Sequence, residues 1–120
     1  MSKPKVYIAG PMRGYKNFNF DAFDAARAEV SALGYHPISP ADMDRLYEGW
    51  GKYPPADFVP TKEDRIRFMR RDLAAIEESD AIYLLEGFED STGALDEMTH
   101  ADFIGLELIY QENVRTGIIP

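Results

Sequence analysis

The pattern that most constrains this chain is an alternation of short, almost wholly apolar runs with longer stretches of helical period. The clearest run is Asp80 to Leu85 (DAIYLL). It lacks polar alternation, so a strand built from it is covered on both faces. Lys5 to Ala9 (KVYIA) is a second such run, stopped by Gly10-Pro11. Tyr35 to Ile38 is shorter and ends at Ser39-Pro40, Leu106 to Tyr110 gives a fourth, and Gly117-Ile118-Ile119 is a candidate fifth. Between them lie three helical patterns. The first starts at Asn19 or Asp21, either of which can cap it, carries Phe23, Ala26, Val30 and Leu33 on one face, and closes at Gly34. The second opens on a capping-box pair, Thr61 and Asp64, and presents Ile66, Met69, Leu73 and Ile76 as an apolar stripe ending near Ser79. The third runs from about Thr92 to Ile104, with Ala94 and Ala101 suited to close packing. Residues 41–60 contain Gly-Trp-Gly and Pro-Pro, so no long regular element is expected there, and their aromatics favour a folded flap.

Strands alternating with helices imply an α/β sandwich of the Rossmann or flavodoxin kind. Its four- to five-stranded parallel sheet is joined by right-handed crossovers and flanked by helices. At 120 residues the chain fits one domain. A strand order of the 2-1-3-4 kind sets the ends of the first and third strands side by side. Ligands in such sheets bind at that switch point, beyond the carboxyl ends of the strands. The loops meeting there are Gly10 to Asn19 and Glu86 to Gly93.

Charge and composition narrow the function. The net charge is −8, and the densest basic stretch, Arg65 to Arg71, is broken by apolar residues and flanked by acids. Phosphate neutralisation dominates nucleic-acid affinity, so a polymeric nucleic acid is not the expected partner. A single mononucleotide is different, because one helix terminus and one Arg can hold one phosphate. No apolar stretch approaches the roughly 20 residues of a membrane span. The opening MSKPKVYIAG has an apolar run shorter than a signal peptide's core, so a cytoplasmic location and no membrane partner are expected. With no cysteine and only His36 and His100, neither a metal site nor a Ser-His-Asp or Cys-His nucleophile has much to build on. GxGxxG and GxxxxGK[ST] are both absent. No metal or organic cofactor is expected.

Among 21 acids, two stand out by placement. Glu97 lies four residues after Gly93, near the start of the helix at the switch point. Asp72 borders the apolar stripe of the preceding helix. Pattern alone leaves both open to being ordinary surface acids. Ser91-Thr92-Gly93 at a helix start can cradle an anion or simply cap the helix. Gly10, Pro11, Met12, Arg13 and Gly14 can form the facing loop, with Arg13 as a phosphate partner. Tyr7, on the first strand, reads more readily as a core or edge aromatic than as a catalytic phenol.

Taken together, VYIAGPMRG (6–14), NFNFDAF (17–23), GYHPISP (34–40) and MRRDLAAIEESDAIYLLEGFEDSTGALDEMTHA (69–101) resemble the nucleoside 2-deoxyribosyltransferase superfamily. The similarity is greatest to its small bacterial and phage branch of the DUF4406 type, and it covers residues 5 to about 110. It implies one such domain over 1–120 and a glutamate nucleophile at Glu97. It further implies a helix aspartate at Asp72, and Tyr7 orienting the nucleophile. Gly10 to Gly14, Asn19, Ser91 and Gly93 are then substrate-binding. Six residues before the glutamate, the transferases carry an aspartate that takes the free 5′-hydroxyl. The relatives that hydrolyse nucleoside 5′-monophosphates carry a serine there, and here it is Ser91. The resemblance thus favours hydrolysis of a (deoxy)nucleoside 5′-monophosphate. Base exchange between nucleosides and a non-catalytic nucleotide-binding or sensing module are the alternatives. It also implies a homodimer or higher homo-oligomer in which a neighbouring subunit completes the site, Asn113 being a candidate. The flap at 41–60 has no clear counterpart, so the base is left open.

Overall fold

Strand β1 (Lys5–Ala9) is the hub of the sheet, and its alternation decides which helix meets which residue. Val6 and Ile8 point to one face and Tyr7 and Ala9 to the other, all fully buried. The computed structural model describes residues 2–117. In it β1 pairs in parallel with β2 (His36–Ile38) on one side and β3 (Ala81–Leu84) on the other. β4 (Glu107–Tyr110) adds to β3, again in parallel, giving the order β2-β1-β3-β4. This is the doubly wound arrangement expected from the alternation. The candidate fifth strand at Gly117-Ile118-Ile119 falls largely outside the described residues.

One face of the sheet is covered by α1 (Phe20–Ala32), whose Phe20, Phe23, Ala26 and Val30 pack on Val6, Ile8 and Tyr83. The other face is covered by α3 (Lys62–Glu77) and α4 (Thr92–Phe103), where Ile76 and Ala101 pack on Tyr7, Ala9, Ile82 and Leu84. The capping box of α3 forms as its sequence predicts, with Asp64 N donating to Thr61 Oγ1 at 3.1 Å and Thr61 N to Asp64 Oδ2 at 2.8 Å. Gly34 follows α1 in the left-handed region (φ 91°), as its closing role requires.

Three local expectations are corrected. The segment expected to be irregular begins with a helix, α2 (Pro40–Glu48). Ser39-Pro40 ends β2 and at once supplies the N-cap position and a proline at N1, while Gly49 (φ 70°) closes the far end. Asn19 stands at the N-cap of α1 without capping it. Its backbone is left-handed, and its Nδ2 donates to Pro11 O at 2.9 Å. The stripe on α3 is only partly buried, for Ile66 is exposed and Met69 and Leu73 are half-buried around the fully buried Ile76. A fifth helix, α5 (Gln111–Arg115), follows β4, and Gln111 Nε2 and Arg115 Nε tie it to Glu29 on α1.

Candidate active site

The site grows from β1. Because Tyr7 alternates onto the α3–α4 face, its hydroxyl emerges between those helices and donates to Glu97 Oε2 at 3.1 Å. Glu97 lies one and a half turns into α4 and is 7% exposed, and Asp72 on α3 is 9% exposed. Neither is a surface acid. The two carboxyls are close enough that each changes the ionisation of the other. Asp72 Oδ1 is buried with no hydrogen-bond partner among the described residues.

Burial and mutual repulsion dominate the electrostatics. Glu97 is pushed well above the usual carboxylate range, first by burial and then by the charge of Asp72, against a lowering hydrogen bond from Tyr7. Asp72 is raised to about 7, first by burial and then by the charge of Asp44. Glu97 and Asp72 titrate together rather than independently, as closely placed carboxyls do. Burial and both carboxylates keep the Tyr7 phenol protonated, so that it can donate to Glu97.

A third acid belongs to this group. Asp44, on α2, is buried and raised to about 6, with burial the main cause and a hydrogen bond from Arg71 opposing it. Arg71 Nη2 donates to Asp44 Oδ1 at 2.9 Å, joining α2 to α3 one residue before Asp72. Nothing in the pattern of residues 41–48 distinguished Asp44 from Asp42, because the helix that aims it inward was not foreseen.

Above these acids a cleft of about 810 Å³ opens at the ends of β1 and β3, the switch point expected from the topology. Gly10, Pro11, Met12 and Arg13 line one side, and Ser91, Gly93, Ala94 and Glu97 another, with Asp72 and Asp44 also in its lining. Gly14 and Asn19 are not among the lining residues, and Asn19 acts on the cleft indirectly, by holding Pro11. Gly10 has a packing reason to be glycine, since a Cβ there would lie 2.7 Å from Leu85 Cδ1. Asn113 sits on α5 and is also outside the cleft lining.

Ser91 caps α4, its Oγ accepting from Ala94 N at 3.2 Å. The N–H groups of Thr92 and Gly93 are first-turn donors without an intrahelical acceptor, and the helix dipole adds positive potential there. The Ser91 hydroxyl keeps its own proton free to donate. Opposing charge is close by, since Asp90 and Asp96 also line the cleft.

The remaining wall is aromatic. Trp50 and Phe58 from the flap meet Phe68 of α3, with Trp50–Phe58 centroids 5.1 Å apart in an edge-to-face contact. Phe18 completes it by packing edge-on against Phe58 at 6.1 Å. Asn17, Phe18 and Asn19 are all left-handed, a conformation that asparagine tolerates and that costs phenylalanine about 1–2 kcal/mol. The aromatics of the flap are legible in its composition, whereas Phe68 facing them is not.

The topology and the cleft together define a doubly wound α/β protein with a cleft where its strand order reverses, the place at which sheets of this kind receive ligands. Residues 4–110 match the family described as Domain of unknown function (DUF4406), and the chain belongs to that family. A solved 2-deoxyribosyltransferase from the psychrotolerant bacterium Bacillus psychrosaccharolyticus shares its fold with a TM-score of 0.62. The two are 21% identical over an alignment that covers 88% of this chain and 70% of that one. No curated protein matches the sequence.

Proposed function

We propose that the protein hydrolyses the N-glycosidic bond of a (deoxy)nucleoside 5′-monophosphate, with Glu97 as the nucleophile. The observation that carries this reading is the buried Asp72–Glu97 pair with Tyr7 donating to one Glu97 oxygen at 3.1 Å. Burying two acids together costs stability and is a usual sign of a site built for proton and nucleophile chemistry. Burial raises Glu97 more strongly than Asp72, so the reactive form is the one in which the proton has passed to Asp72 and Tyr7 supports the Glu97 carboxylate. A Glu97 oxygen bonds to C1′ as the C1′–N bond breaks through an oxocarbenium-like transition state. The bonding electrons pass to the base nitrogen, and Asp72 supplies the proton that neutralises the leaving base. Water then attacks C1′, returns a proton to Asp72 and frees Glu97. Thr92 N–H, Gly93 N–H, the Ser91 hydroxyl and Arg13 hold the phosphate at the head of α4.

A second reading has its own support. Asp90 and Asp96 at the cleft disfavour a dianion, and the similar fold of a 2-deoxyribosyltransferase fits base exchange on an uncharged nucleoside. Comparing 5′-monophosphates with the matching nucleosides, with and without a second free base, separates the two. Hydrolysis yields free base and sugar phosphate, whereas exchange yields a new nucleoside. Glu97→Ala abolishes both, and base release at the wild-type rate in that variant refutes the assignment of the nucleophile.

A further inference from the structure

The mechanism above leaves Asp44 and the aromatic wall unused. Asp44 is among the most buried acids of the chain, yet it lines the cleft. Its position is fixed on two sides. Arg71 holds Oδ1 at 2.9 Å, and α2 itself is pinned to α1 by Arg45, whose Nη2 donates to Asp24 Oδ2 at 2.9 Å. Among the described residues Oδ2 of Asp44 has no protein partner, so one oriented acceptor is left over beside the cleft. Trp50, Phe58 and Phe68 stand in the same lining, and their mutual edge-to-face packing fixes ring positions against which a flat ligand can stack.

The direction of the chemistry brings these features together. In-line displacement requires the base to leave on the side of C1′ away from the attacking oxygen. Glu97 belongs to α4, so the base departs from α4 toward the walls supplied by α2, the flap and α3. That is where Asp44 and the rings stand.

Resting on the N-glycosidase reading, we propose that Asp44 and the Trp50–Phe58–Phe68 wall form the base subsite, which selects bases that present an amino group. The rings stack on the base without regard to its identity. Asp44 reads its edge, because a carboxylate accepts hydrogen bonds and repels a carbonyl oxygen placed at the same point. Cytosine and uracil differ there in the required way, with an exocyclic amino group on one and a carbonyl on the other. The subsite accepts the first and rejects the second. A site built to hydrogen-bond one group discriminates strongly against an analogue that lacks it, because its own polar atom is then left unpaired.

Two readouts keep this claim separate from the reaction itself. The first is turnover: kcat/KM for 2′-deoxycytidine 5′-monophosphate against 2′-deoxyuridine 5′-monophosphate, in the wild type and in Asp44→Asn. Asparagine retains an oxygen for Arg71 and turns an amide donor toward the cleft, so α2 stays anchored while the preference reverses. The wild type favours the cytosine nucleotide tenfold to a hundredfold, and the variant loses or inverts that ratio. The second readout is fluorescence. Trp50 is the only tryptophan of the chain, so its emission reports stacking without any need for turnover. Quenching by the cytosine nucleotide at lower concentration than by the uracil nucleotide supports the subsite even if neither is hydrolysed, in which case the hydrolase reading alone fails. Turnover with Trp50 emission unchanged at saturation overturns the subsite and leaves the hydrolase reading standing. Equal kcat/KM for the two nucleotides, or an Asp44→Asn ratio equal to that of the wild type, also overturns it.

Discussion

Replacing Asp72 with asparagine removes one of two acids that the fold holds at an energetic cost, and the size of that cost follows from the structure. The native carboxyl is raised from 3.8 to about 7, by burial and then by Asp44. Between those values the native state binds more protons than the unfolded chain, so stability falls as pH rises through the window. The loss is complete above about pH 7. At about 1.4 kcal/mol per pH unit the whole window is worth roughly 4 kcal/mol, and the part above pH 5.5 roughly 2 kcal/mol. Asparagine has no such penalty. Asp72 Oδ1 already lacks a partner, so the amide creates no new orphan acceptor, and its NH2 can donate to Glu97. Removing the Asp72 charge also eases the ionisation of Glu97, with the same sign. Urea unfolding of both proteins at pH 5.5 and pH 8.5 tests this, and both values lie above the sequence pI of about 4.7. Asp72→Asn is expected to be the more stable at pH 8.5, with an advantage over wild type that grows by about 2 kcal/mol between the two pH values. The same variant loses most of its activity, as expected when a strained site is relaxed. An advantage that does not change with pH, or a variant less stable than wild type at pH 8.5, refutes the argument that Asp72 is held against its ionisation.

Two other substitutions probe the neighbouring contacts. Tyr7→Phe keeps the ring in the core and removes the donor to Glu97 Oε2, which raises the Glu97 carboxyl further. A pH–rate profile should show a fall of about tenfold to a hundredfold in kcat and an acid limb displaced to higher pH. Ser91→Asp preserves the cap on Ala94 N, since aspartate caps as well as serine, so melting temperature should hardly change. Its charge faces the phosphate, so KM for a 5′-monophosphate should rise at least about tenfold while that for the nucleoside does not.

The legible parts of this molecule are those set by local pattern. DAIYLL and KVYIA could be read as buried strands because no polar residue interrupts them, and the strand order followed from the crossovers between them. The paired acids were a different case. Placement at the switch-point helix and at the edge of the α3 stripe marks Glu97 and Asp72. Periodicity alone leaves both open to being surface acids, and the resemblance to a family is what raises them above that reading. Their burial comes from the approach of α3 and α4 over the sheet, where Tyr7 of β1 reaches Glu97 across 90 residues of sequence. The segment 41–60 departs from its expected irregularity for a local reason. Ser39-Pro40 reads as the end of a strand, but the same two residues also begin a helix, and without that helix Asp44 has no direction. Asn19 reads as a helix cap because asparagine commonly serves there, but the left-handed turn before α1 sends its amide to Pro11 instead.

The most direct test of the account is whether sugar becomes attached to Glu97 during turnover. The protein is mixed with an excess of a reactive 5′-monophosphate, quenched in acid within a turnover, and followed by intact mass and peptide mapping. The account predicts a transient gain equal to the deoxyribose 5-phosphate residue, located on Glu97 and absent in Glu97→Gln. Free base released at the same rate with no adduct at any quench time, or an adduct on another side chain, contradicts it.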